Sequence, residues 1–224
     1  MHLLRILKAT LFALCLTFLG LQVLELEVEA AGVRMSLVLL LALLYYLKVE
    51  SKKLFFLLFL SFFALAEILC FVSYFVKIDY DTTPDYFYYS VNGLYIVSYL
   101  FLIIRILKDM DLRVVIRKFW IHLAILIILD IFCIVILSGT MEKILNYSQF
   151  SLELLYNSVI MILLTVAMIN YMSKNTLKAM NLLLGAIFIF FSEVIQMTYF
   201  YIANMTVLNV LCSLFLIFAF MFFY

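Results

Sequence analysis

Three acidic side chains stand where few acids are found. Glu67, Asp130 and Glu193 each lie deep inside a long apolar run. An ionisable group in a hydrocarbon setting costs at least about 2.5–3.5 kcal/mol on insertion scales, so such a residue is a functional hypothesis by default. Glu67 lies nine residues before the outer end of its run at Val76, Asp130 seven before Leu137 and Glu193 eight before Tyr201. At about 1.5 Å per helical residue the three sit at similar depth. Carboxylates sharing one site can divide labour: one keeps its proton and acts as an acid, while its ionised partner stabilises positive charge or orients water. The same residues also suit a proton relay. The plain structural alternative is that each acid is satisfied by a neighbouring Ser, Asn or Tyr.

The neighbourhood of the acids is polar. Ser192 precedes Glu193, and Gln196 follows one turn later on the same helical face. Tyr156 and Asn157 occupy one further run, and Asn92, Ser98 and Tyr99 another. These residues could line one cavity, although polar residues also stitch membrane helices together. The two histidines, His2 and His122, both fall near run ends, so neither a zinc site nor any other cofactor is expected. Cys15, Cys70, Cys133 and Cys212 lie in apolar runs without metal-type spacing and read as small apolar filler.

Positioning these acids requires membrane helices. The 224 residues are 69% hydrophobic and 13% charged, with mean hydropathy +1.24. Soluble domains are roughly 45–50% apolar, and a globule of this size could not hide the excess. The net charge of +1 and the lack of a basic patch away from the run ends exclude a nucleic-acid partner. About 20 apolar residues cross a bilayer core. Eight runs qualify: 9–24, 32–47, 54–76, 87–107, 119–137, 152–172, 178–201 and 206–224. The expectation is an all-α, polytopic bundle of eight transmembrane helices forming a single domain over 1–224. Pro84 is placed in a loop, and Arg34, near one end of the second run, is expected to snorkel to the headgroups.

Basic residues orient the bundle. With the N-terminus in the cytoplasm, Arg5, Lys8, Lys48, Lys52, Lys53, Arg105, Lys108, Arg113, Arg117, Lys118, Lys174 and Lys178 lie inside. Only Arg34, Lys77 and Lys143, of 15 in all, lie outside. Acids such as Glu25, Asp79, Asp81 and Glu153 fall on the outer side. Both termini are then cytoplasmic. The Phe-, Tyr- and Ile-rich, Pro-poor composition points to the cytoplasmic membrane of a bacterium.

An internal echo is present. "FFALAEIL" around Glu67 and "FIFFSEVI" around Glu193 share Phe, a small residue, Glu and a branched apolar residue, which would relate two four-helix halves by a parallel repeat. These segments carry a resemblance. The chain is similar to the YhhN-type, lysoplasmalogenase-like integral membrane family, which has eight spans. "LFLSFFALAEIL" stands for that family's early small-Gly-Asp element, with Ala66–Glu67 for Gly-Asp. "LLLGAIFIFFSEVIQMTYFY" stands for its late Gly-then-Ser-Asp element, with Gly185 kept and Ser192–Glu193 for Ser-Asp. "LLYNSVIMILL" resembles its Tyr-bearing sixth span, with Tyr156 and Met161. Both family aspartates are glutamates here, and Tyr99 or Ser98 occupies the region of the family's His.

The resemblance implies hydrolysis of the vinyl ether bond of a lysoplasmalogen or related lysolipid, with a membrane lipid as the partner. Glu67 and Glu193 would be the catalytic pair. Asp130, Tyr99, Tyr156, Asn157, Ser192 and Gln196 would support the site or bind substrate. Two other classes stay open: a proton-coupled transporter, and a non-catalytic membrane module of the same fold.

Overall fold

A computed structural model describes residues 2–49, 53–76, 85–142 and 144–223. Pro84 and the charges Lys52, Lys77, Asp79, Asp81 and Lys143 lie outside the described residues. All the regular structure described is α-helical: α1 (His2–Val23), α2 (Glu27–Lys48), α3 (Leu54–Ser73), α4 (Tyr86–Lys108), α5 (Leu112–Met141), α6 (Tyr147–Lys174), α7 (Leu177–Tyr201) and α8 (Thr206–Phe223). Each is long and apolar enough to cross a membrane. In hydrocarbon a helix satisfies its own backbone donors and acceptors, which is why apolar runs of this length take that form.

The helices overrun several of the apolar runs because polar residues cap them. Asp85 Oδ1 accepts from the backbone N–H of Tyr88 at the start of α4 (2.9 Å). Asn146 and Gln149 form a reciprocal capping box at α6. The Thr176 hydroxyl accepts from Ala179 N at α7. Asn175 ends α6 in the left-handed conformation (φ 47°), as small polar residues do at helix C-termini. Only Asn175 and Thr176 separate α6 from α7, so the two run antiparallel.

α5 contains a break. Phe119 has non-helical torsions (φ −117°, ψ 24°), at the residue where the apolar run begins. The turn pair before it carries Arg113, Arg117 and Lys118; the run beyond it is the membrane-crossing part. That part exposes Ile121, Ile125, Ile128, Phe132 and Val135, a helical stripe suited to acyl chains.

Two compact units divide the chain, Met1–Ser98 and Tyr99–Tyr224, with the division inside α4. In the first, α2 packs against α1 and α3; in the second, α6 packs between α5 and α7, and α7 packs most extensively on α8. α6 is the most enclosed helix, with more than half of its apolar window buried.

Close approach is set by glycine in both units. A Cβ on Gly32 would meet the Phe71 ring at 3.0 Å, and one on Gly185 would penetrate the Phe223 ring. Gly185 is therefore a packing residue of the α7–α8 contact, where a missing side chain lets two helices close. A Cβ on Gly93 meets nothing within 4 Å. Gly185→Val is expected to destabilise the purified protein by about 1–3 kcal/mol through overpacking, read as a lowered unfolding midpoint in detergent. Gly93→Ala should leave the midpoint unchanged or slightly raised; equal losses in the two variants would contradict this packing account.

Candidate functional site

The first unit buries an ion pair. Glu67, on α3, is 1% exposed. Its Oε2 accepts from Arg34 Nε of α2 at 2.6 Å, and its Oε1 accepts from the Tyr95 hydroxyl of α4 at 2.9 Å. Arg34 Nη2 also donates to Cys70 Sγ at 3.5 Å. Arg34 thus does not snorkel. The α2–α3 packing brings its guanidinium to a carboxylate within reach, and pairing in low dielectric outweighs the climb to the headgroups. Phe63 stacks obliquely on the Tyr95 ring, 4.9 Å between centroids, holding the phenol over Glu67.

The second unit holds Glu193. Its Oε1 accepts from the Tyr99 hydroxyl at 2.8 Å. Tyr99 has no exposed surface, and the edge of its ring meets Tyr156 of α6, 6.1 Å between centroids. Three of the residues singled out in the sequence, Glu193, Tyr99 and Tyr156, therefore form one connected cluster. A hydroxyl donor of this kind fixes the carboxyl rotamer.

The other residues singled out have partners of their own. The Ser192 hydroxyl, buried, donates to the Cys212 carbonyl at 2.9 Å, tying α7 to α8. Gln196 Oε1 lies 3.9 Å from Cys212 Sγ. The thiols of Cys70 and Cys212 thus make polar contacts and are more than apolar filler. Asp130 is buried on α5 and accepts from the Thr165 hydroxyl of α6 at 2.7 Å. Ser98 donates to the Phe59 carbonyl and Asn92 to the Tyr88 carbonyl, so both close backbone acceptors in the first unit rather than lining a cavity. Asn157, 3% exposed, has an Nδ2 without a hydrogen-bond partner.

Three participants escaped the sequence reading. Tyr95 was legible as the residue one turn before Tyr99. Arg34 was legible as a cation inside a run next to the run of an acid. Glu153, counted among outer-side acids, is a buried group on α6 that accepts from the Tyr201 hydroxyl of α7 at 3.4 Å. Its apolar surroundings on one helical face were the available signal.

No family model, curated protein or solved structure matches the chain.

Removing one partner of a buried ion pair strands the other charge, at about 3–5 kcal/mol. Arg34→Met and Glu67→Leu are each expected to destabilise the protein by that amount, and the Arg34→Met/Glu67→Leu double variant to recover most of the loss. A double-mutant cycle on unfolding free energies measures it. Additive losses would show that the two charges are not coupled.

Proposed function

We propose that this chain is a membrane-embedded hydrolase that cleaves the vinyl ether bond of a lysoplasmalogen or a related lysolipid, as its resemblance to the YhhN-type family implies. The observation that carries the proposal is the Glu193 carboxyl, eight residues inside the end of α7, held by the buried Tyr99 hydroxyl at 2.8 Å.

In the proposed reaction the Glu193 carboxyl protonates the far carbon of the vinyl group. The double-bond electrons form the new C–H bond, and an oxocarbenium ion remains beside the new carboxylate. Glu193, now negative and held by Tyr99, stabilises that cation. Water then adds to the cationic carbon and returns a proton to Glu193. The hemiacetal collapses to a fatty aldehyde as its hydroxyl proton passes to the departing glycerol oxygen. Tyr156 positions Tyr99 through the ring contact. Asp130, Ser192 and Gln196 enter as supporting groups. No cofactor or metal takes part.

A lipid substrate suits the location. At about 1.5 Å per residue, Glu193 lies about 12 Å below the end of α7 at Tyr201, the depth of the first atoms beyond a glycerol backbone. Basic residues in the last turns of α2, α4 and α6, Lys48, Arg105, Lys108 and Lys174, support an orientation with both termini in the cytoplasm of a bacterial cell. The Arg34–Glu67 pair, a charge satisfied within the protein, favours the second reading, a non-catalytic module of the same fold.

Purified protein incubated with a lysoplasmalogen should release fatty aldehyde. Glu193→Gln should lower the rate at least about 10²-fold, the usual contribution of a positioned acid; Tyr99→Phe should lower it less. Absence of aldehyde from folded protein, with vinyl ether, alkyl ether and ester lysolipids alike, would exclude the hydrolase and leave the module. Full activity in Glu193→Gln would remove Glu193 from the acid role.

A further inference from the structure

The cations of the second unit are unevenly balanced. Arg105, in the last turn of α4, has its charge met by Asp109 at 2.6 Å. Arg113, Arg117 and Lys118, at the start of α5, are all exposed, and none makes an ion pair among the described residues. Asp111 is taken up as the helix cap, accepting from Val114 N at 3.4 Å, and the next acid along the chain is Asp130. Three positive charges within two turns are thus left without an acid.

Their surroundings are not those of a water-facing patch. Leu112, Val114 and Ile116 are interleaved with the cations and are exposed as well. Two residues past Lys118 stands Trp120, the single tryptophan of the chain, 63% exposed. An exposed indole at the start of an apolar run marks the border between membrane and water. The Lys118 ammonium lies 5.2 Å over the Phe119 ring, which holds it at that border. The helix breaks at Phe119, so the cationic turns are set off from the crossing part.

Depth agrees with this placement. Counted from Trp120 at about 1.5 Å per residue, Lys118 and Arg117 stand about 3–5 Å above the border and Arg113 about 10 Å. A headgroup layer is about 5–7 Å deep on each face. Two of the cations therefore lie among lipid phosphates, and the third reaches them from the water edge with its long side chain. α5 also lacks other ties at this end. It is the least enclosed of the described helices, and Val115 is its only buried residue before Asp130.

We propose that residues 112–120 of α5 form a binding surface for anionic glycerophospholipids, with Arg113, Arg117 and Lys118 on the headgroup phosphates and Trp120 among the upper acyl carbons. The two guanidinium forks match phosphate oxygens. Zwitterionic lipids carry the same phosphate but balance it with their own ammonium, so three cations without acids select lipids of net negative charge. The bound lipids seat the end of α5 that protein contacts leave free. This surface is separate from the hydrolase reading and stands whether or not the chain cleaves a lipid.

Trp120 reports on its own neighbourhood. The full chain is reconstituted into equimolar phosphatidylglycerol and phosphatidylcholine, with bromine near the head of the acyl chains of one lipid or of the other. Bromine quenches tryptophan fluorescence on contact, so the two vesicle sets, alike in composition, compare the two lipids at Trp120. A cation at an anionic surface is worth about fivefold in partitioning, and the wild type is expected to favour phosphatidylglycerol by at least about that factor at low salt. Salt at about 1 M shortens the screening length to about 3 Å and should bring the preference below about twofold. The Arg113→Gln/Arg117→Gln/Lys118→Gln variant should show near parity. Arg117→Gln/Lys118→Gln, a smaller change that serves where the triple variant does not fold, should lose at least about half of the preference. Arg105→Gln/Asp109→Asn, which removes a balanced pair, should retain it. Parity in wild type overturns the proposal and leaves the cations to a soluble acidic partner. A preference indifferent to salt, or one that survives in both cation variants, overturns it as well. Equal loss in Arg105→Gln/Asp109→Asn overturns the assignment to α5.

Discussion

Hydrocarbon offers a polar group a partner inside the protein or a path to the headgroups, and the internal arrangement of this bundle follows from that choice. Arg34 and Glu67 are the extreme case. Either charge alone would cost several kcal/mol after relaxation. Together, with the Tyr95 hydroxyl on the second carboxylate oxygen, they form a neutral unit that helices α2, α3 and α4 must converge to build. The pair therefore fixes register in the first unit: moving α2 by a single residue would turn Arg34 by about 100° away from Glu67. Gly32 lies two residues before Arg34 and admits the Phe71 ring, so the helices can approach closely enough for the 2.6 Å contact.

The same rule organises the second unit with weaker donors. Asp130 takes the Thr165 hydroxyl, Glu193 the Tyr99 hydroxyl and Glu153 the Tyr201 hydroxyl. Each bond crosses between helices, so each acid also acts as a tie.

The architecture was legible because it depends on one-dimensional quantities. Eight apolar runs gave eight helices, and only their ends shifted, where Asp85, Asn146 and Thr176 extend the helices with caps that hydropathy does not register. The start of the fifth run at 119 coincides with the break at Phe119, because the basic residues before it belong to the membrane surface. The acids themselves stood out for the same reason. Their partners did not, since a hydrogen bond between helices depends on rotation about two axes that no single run encodes. Arg34 illustrates this: its position near a run end allowed an exit to the headgroups, and only the rotation of α2 against α3 turns it to Glu67. The burial of Glu153 was not legible, because a position near a run end does not say which side of the helix faces lipid.

The internal echo between the two glutamate segments takes on a specific meaning when partners are compared. Both glutamates accept a tyrosine hydroxyl, and the donors, Tyr95 and Tyr99, are four residues apart on α4. Up to that point the segments match. Beyond that contact the first unit adds Arg34 on Glu67, and in the second the neighbouring Ser192 gives its hydroxyl to the α8 backbone. A carboxyl that must cycle a proton needs a partner that tolerates both forms, and a tyrosine hydroxyl does, since it can donate to a carbonyl oxygen or to a carboxylate oxygen alike. What the two sites share is a tyrosine hydroxyl from α4, and what the first unit adds is the buried guanidinium of Arg34, a tie that only the convergence of α2 and α3 can supply.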